Sequence, residues 1–229
     1  MLTLAIETSG PTGSVALVES GRVVAEKTLE LGRQHAQALL PTIRSLLKDS
    51  AHPVRDLQLV AVSLGPGSYT GLRIGVVCAK TLAYVVGCPL AAVDTLQAIA
   101  CNSPADVAAV EVISDAQRGD LFVGRYTRTS AGDWAPQNEI AVVRSETWAA
   151  ELVAGATISG PGLEKIANLL DGRSRLLPPE CHVPAAVWVA RLGVAAHEAG
   201  QAVDLWGIEP RYLRRSSAEV QWEKLHPGK

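Results

Sequence analysis

Apolar and polar positions change period twice in the first hundred residues. Leu2 to Thr8 is almost wholly apolar, Gly10-Pro-Thr-Gly13 reads as a turn, and Ser14 to Glu19 forms a second short run. After Ser20-Gly21, Arg22 to Leu31 places Val23, Ala25, Lys27 and Leu29 opposite Val24, Glu26, Thr28 and Glu30. Three short runs joined by glycine turns predict an antiparallel meander, with the first strand innermost because it is apolar on both faces. From His35 the period becomes helical: Leu39, Ile43, Leu46 and Leu47 form one stripe, which Leu40 widens. Pro41 lacks an amide and predicts a bend there or a later start. A strand over Leu57–Leu64, a helix over Leu72–Val86, a strand over Leu90–Val93 and a helix over Thr95–Cys101 follow. The 72–86 helix is apolar nearly all round, broken only by Arg73, Lys80 and Thr81, and Gly87 with Pro89 ends it.

Asn102-Ser-Pro-Ala-Asp106 is the best boundary, and beyond it the pattern partly restarts. Strands are expected over Val107–Ile113, Leu121–Arg128 and Glu139–Val143, with a polar turn over 115–120 and a loop over 131–138. A short helix over Thr147–Val153 and a strand over Ala156–Ser159 precede a second glycine corner, Gly160-Pro-Gly162. A helix over Leu163–Leu170 and a long one from Pro184 to near Gly200 complete the set. The chain divides as 1–102, 103–206 and a tail, 207–229, which docks back on the body and ends in a mobile polar segment. Strand-strand-strand-helix-strand-helix-strand, followed by a shorter version, is the order of the actin, sugar-kinase and Hsp70 superfamily.

Composition narrows this picture without redirecting it. At 229 residues and 48% apolar, with one phenylalanine, the chain can bury an aliphatic core, and disorder is excluded. A net charge of -2 supplies no general attraction to nucleic acid or to an anionic membrane. Cys78, Cys88, Cys101 and Cys181 form no close pair and read as reduced core thiols. Glu7 interrupts the first apolar run, which argues against a signal peptide, and no uninterrupted apolar stretch reaches the ~18–20 residues of a bilayer span.

Candidate chemistry centres on Ser63-Leu-Gly-Pro-Gly-Ser-Tyr-Thr-Gly-Leu-Arg-Ile-Gly75, between the 57–64 strand and the next helix. Gly65, Gly67 and Gly71 permit close backbone approach, and Ser68 or Thr70 can cap the helix. Such a corner is either an anion cradle or a packing corner, and the dedicated phosphate signatures are absent: Thr70 and Arg73 break both glycine-loop patterns. Glu7, ending an apolar strand, either helps hold a nucleotide's metal or accepts hydrogen bonds from the adjoining turn. The five histidines fall at no metal-binding spacing, and no serine lies in a nucleophile elbow, so neither a metal site nor a catalytic residue is expected. Arg118 pairs within its turn or binds phosphate. Tyr212-Leu213 reads as an anchor for the tail, with Arg211, Arg214 and Arg215 as a possible RNA contact.

Leu4-Ala-Ile-Glu-Thr-Ser9, Gly13-Ser-Val-Ala-Leu17, Arg33-Gln-His-Ala-Gln-Ala-Leu-Leu-Pro41, the 65–75 motif, Asp115-Ala-Gln-Arg-Gly119 and Pro210-Arg-Tyr-Leu-Arg214 stand in this order. Together they resemble the bacterial TsaB family over nearly the whole chain. The resemblance implies an α/β, actin-like (ASKHA) two-lobed fold with a reduced second lobe. It implies a non-catalytic subunit needed for N6-threonylcarbamoylation of adenosine 37 in tRNAs that read codons beginning with A. Such a subunit acts in the cytoplasm by dimerising with the catalytic subunit TsaD, and the ATPase subunit TsaE joins the pair. ATP and metal then belong to the partners, tRNA is met through the complex, and the chain alone forms a possible homodimer. No intrinsic cofactor is implied, nor any membrane. The 35–47 helix would correspond to the metal-ligand helix of TsaD, without its paired histidines. Since the family pairs through first-lobe helices, the expected interface is His35, Leu39, Ile43, Val76 and Lys80. Glu7, Tyr69, Gly32 and Ala36 depart from the aspartate, phenylalanine and serines common in the family. The alternative is an actin-fold ATPase or phosphotransferase working from Glu7, the 65–71 corner and the 160–162 corner.

Overall fold

A computed structural model describes residues 1–29, 35–170, 172–201, 203–214, 222 and 226, with no side-chain description for His35 and Ala36. The three-strand meander forms as expected: β1 (Leu2–Glu7), β2 (Gly13–Glu19) and β3 (Arg22–Leu29) pair antiparallel. β4 (Leu59–Gly65) and β5 (Leu90–Asp94) extend this sheet in parallel, giving the order β3-β2-β1-β4-β5. β1 lies in the middle, which is why it is apolar on both faces.

Alternate residues of these strands build two cores. Leu4 and Ile6 face α1 (His35–Asp49) and α2 (Tyr69–Val86), packing with Leu39, Ile43, Leu46 and Val76. Ala5, Ala16, Ala61 and Ala91 face the other way, against α6 (Ala186–Glu198). These small side chains let α6 come close: a Cβ on Gly193 would stand 2.6 Å from that of Ala61. α1 runs continuously past Pro41 and begins ahead of it, so the proline does not delay the start. α2 begins three residues earlier than expected, because Ser68 caps it from its side chain.

The second sheet has the order β11 (Arg175–Leu176), β10 (Thr157–Ser159), β6 (Ala109–Gln117), β7 (Asp120–Arg128), β8 (Trp134–Pro136), with β9 (Ala141–Arg144) also paired to β7. β6 and β7 form its central hairpin. The expected 115–120 turn contracts to Arg118-Gly119, both at positive φ, since β6 continues through Gln117 with a register shift after Asp115. β8 (Trp134–Pro136) lies in a stretch expected to be loop: Trp134 is buried, with Arg128 over its ring at 4.6 Å. β10 (Thr157–Ser159) and β11 (Arg175–Leu176) are short, as are α4 (Ser145–Glu151) and α5 (Leu163–Ile166), which cover one face. The architecture is the actin-like arrangement of two lobes, with a smaller second one.

The two lobes exchange helices across the expected division at residue 102. α3 (Thr95–Ala100) lies between the sheets, sending Leu96, Ile99 and Ala100 into the core of the second and Ala98 into that of the first, while α6, expected with the second segment, lies on the first. Two chain segments cross between the lobes, and they are tied together: Asn102 Nδ2 donates to Val183 O at 2.7 Å. α2 is the described helix long and apolar enough to cross a membrane by length and composition, yet Leu72, Gly75, Val76, Ala79 and Ala83 bury one face of it on the first sheet.

Candidate functional site

The 65–75 stretch carries β4 into α2 at the bottom of the cleft between the lobes. Its glycines are pressed against the end of β1. A Cβ at Gly71 would lie 2.0 Å from Thr8 O, one at Gly75 2.2 Å from Thr8 Oγ1, and one at Gly67 2.5 Å from Ser9 O. The chain also uses the corner's own polar groups. Ser68 N donates to Ser9 O at 2.7 Å, Gly71 N donates to Ser68 Oγ at 3.2 Å, and Thr8 Oγ1 donates to Gly71 O at 2.8 Å. Gly67 and Gly71 are thus packed on backbone, and with Ser68 they also line the cleft between the lobes. The 160–162 corner is built likewise: a Cβ on Gly160 would lie 2.1 Å from Ile113 O, and Gly162 N donates to that oxygen at 3.1 Å.

Glu7 sits behind the first corner, fully buried. Its Oε1 accepts from the amide and the hydroxyl of Ser9, both at 2.5 Å, while Oε2 has no hydrogen-bond partner among the described residues. Burial raises the carboxyl above the ordinary carboxylate range, and the neighbouring Ser9 and Ser63 pull it part of the way back. Glu7 thus fits the role of accepting from its own turn, and it does not line the cleft. Asp94 behaves similarly: burial raises it, although it caps α3 and accepts from Tyr126 Oη at 2.9 Å. Among the described residues, no group of three or more His, Cys, Asp or Glu is placed to hold a metal. Burial pushes the Cys78 thiol up to about 11 and the Cys101 thiol up to about 12, as core thiols require.

The cleft itself has a volume of about 1210 Å³ and is walled by the tail as well as by both lobes. Arg211 N donates to Leu64 O at 2.8 Å, the Tyr212 ring stacks on Tyr69 at 4.4 Å, and Arg73 Nε donates to Tyr212 Oη at 2.8 Å. Leu213 packs on the core of the second lobe. The Arg214 guanidinium donates to the carbonyls of Ala116 and Gln117 and pairs with Asp120 at 3.4 Å. Arg211 is exposed at the cleft, and Arg215 lies outside the described residues. Arg118 also lines the cleft, and its carbonyl accepts from Arg144.

The expected interface requires correction on the helices. Leu39, Ile43 and Val76 are buried in the core of the first lobe, because the α1 and α2 stripes they belong to are the ones that pack on the sheet. Lys80 is also engaged, donating to Trp206 O at 3.1 Å and Ile208 O at 3.3 Å. The side chain of His35 lies outside the described residues. The apolar side chains facing outward are instead Leu40 (58% exposed), Val77 (62%), Tyr84 (62%) and Val85 (72%). Trp206 joins them, edge-on to Tyr84 with ring centroids 5.3 Å apart. Val77, Tyr84 and Val85 are spaced seven and eight residues apart, a helical face opposite Val76, Ala79 and Ala83. The signal lay in α2 being apolar all round, and Trp206 has no local pattern to announce it.

Against known proteins, a family model described as TsaD, tRNA N6-adenosine threonylcarbamoyltransferase, matches residues 22–170. The chain is 32% identical to the tRNA threonylcarbamoyladenosine biosynthesis protein TsaB of Bacillus subtilis, over 97% of this chain and 98% of that one. It is also 32% identical to TsaB of Escherichia coli over the full length of both. Among solved structures, YeaZ from Pseudomonas aeruginosa is similar with a TM-score of 0.82 at 27% identity, covering 93% of this chain and 99% of that chain.

Proposed function

The chain belongs to the TsaB family, and from that premise we propose that it is the non-catalytic subunit of a tRNA-modifying complex. It is needed for N6-threonylcarbamoylation of adenosine 37 in tRNAs reading codons that begin with A. It acts in the cytoplasm by dimerising with the catalytic subunit TsaD, and the ATPase subunit TsaE joins that pair. The observation that carries this reading is the full-length similarity to TsaB. Gly67, Gly71 and Gly160 are packed closely on neighbouring backbone, which supports a structural role for the two corners over the ATPase alternative.

We place the TsaD-binding face on the outer side of α1 and α2, where Leu40, Val77, Tyr84 and Val85 leave apolar surface to water. An outward apolar face of this kind is costly to leave exposed and is relieved by a partner helix. Among the tail arginines, Arg211 is exposed at the cleft and is the one we assign to a tRNA phosphate, whereas Arg214 is spent on the chain's own carbonyls. The direct test is co-elution of TsaD with the parent chain and with Val77→Asp. The parent is expected to co-elute with TsaD. Val77→Asp is expected to keep its stability within about 0.5 kcal/mol of the parent's while losing TsaD, since association would bury an unpaired charge. A folded variant that still co-elutes removes α2 from the interface. A parent chain that never co-elutes removes the reading itself.

A further inference from the structure

The two chain segments that join the lobes, one running from β5 through α3 to Asn102 and the other leading through Val183 into α6, are bonded to each other and so can act together as a hinge. Cys181 Sγ also lies 3.2 Å from Asn102 O, in the same knot. A hinge of two adjacent chain segments leaves the angle between lobes free unless something holds them at a distance from it. The tail supplies a third connection. Its near end is fixed to the first lobe by Arg211 N on Leu64 O, by the Tyr212–Tyr69 stack and by Arg73 on Tyr212 Oη. Its far end is fixed to the second lobe by Arg214, which holds Ala116 O, Gln117 O and Asp120. That attachment is at the tip of the β6–β7 hairpin. Nine residues of β6 separate this tip from the linker that follows α3, a lever of roughly 25–30 Å at the usual rise of a strand. Only Leu213 separates the two anchored positions, Tyr212 and Arg214, so there is little slack between the lobes.

We propose that residues 211–214 brace the cleft, fixing the angle between the two lobes from the hairpin tip, with Arg214 as the positioning residue. This does not depend on which partner the chain binds. The Tyr212–Tyr69 stack carries the load on one side, and the guanidinium on two backbone carbonyls carries it on the other. Carbonyl anchoring makes the brace read the position of the turn rather than the identity of its side chains. Arg118 and Gly119, both at positive φ, keep that turn tight enough to present the carbonyls of Ala116 and Gln117 together.

The test measures the distance between lobes in the full-length free chain. Spin labels are introduced through non-natural amino acids at exposed Glu19 and Glu151, one on each lobe, and read by pulsed dipolar spectroscopy. The parent should give one narrow distribution. Arg214→Ala should shift it to a different mean distance with roughly a doubling of its width. A second variant inserts two glycines between Tyr212 and Leu213, keeping every anchoring side chain while slackening the strap, and it should broaden the distribution in the same way. This insertion decides the matter if Arg214→Ala does not fold. An unchanged distribution in the folded variants overturns the brace.

Discussion

At Gly71 the close approach to Thr8 O leaves no room for a side chain, and a β-branched one meets backbone that cannot move aside. Gly71→Val should therefore destabilise the fold by about 3 kcal/mol or more, seen as a lowered melting temperature with modification lost only as the fold is lost. Unchanged melting with modification abolished would make the corner a ligand site. Glu7 gives the second test at this scale. Its folded carboxyl is raised by burial, so the folded state holds a proton more readily than the unfolded chain. The contribution of Glu7 to stability is then greatest below the unfolded value and declines as pH rises through the raised folded one. Glu7→Gln should flatten that slope and raise the melting temperature at neutral pH, measured by thermal unfolding from pH 4 to 8. A parent and variant with parallel profiles would place Glu7 outside the titration. Both residues could be singled out from the chain, Gly71 by its spacing and Glu7 by a charge ending an apolar strand. The close packing at Gly71 was not legible, because it depends on Thr8, 63 residues away in sequence.

Helices α1 and α2 show where periodicity stops being informative. The stripe of Leu39, Ile43, Leu46 and Leu47 was legible, but a period marks a buried face without saying whether sheet or partner buries it. Here the sheet does, and the neighbour Leu40 is left outside. Leu39→Asp should cost on the order of 3–5 kcal/mol and unfold the first lobe, whereas Leu40→Asp should leave circular dichroism and melting unchanged. The reverse order would invert the helix. Tyr212-Leu213 reads in the sequence as a tail anchor, and in the structure the Tyr212 ring stacks on Tyr69. Tyr212→Ala should lose about 1 kcal/mol or more and speed proteolytic cleavage over 208–214, and an unaltered cleavage rate would remove the anchor. β8 was not legible, since Trp134 stands alone in a polar run and is drawn in by Arg128 and the second core rather than by any alternation of its own.

For the whole molecule, the order of elements anticipated two lobes, while the exchange of α3 and α6 across the division was invisible to it. Helix placement between lobes depends on surface fit, such as Gly193 on Ala61 and Ala91, and small residues scattered along separate strands carry no period. The resulting body offers an outer apolar face on the first lobe and a cleft walled by its own tail. That combination suits a subunit that acts through another protein. The central claim is tested most directly by nucleoside analysis of tRNA incubated with TsaD, TsaE and the activated threonylcarbamoyl donor, with and without this chain. The account predicts N6-threonylcarbamoyladenosine in quantity only when the chain is present, and its loss again with folded Val77→Asp. Equal modification with and without the chain would contradict it.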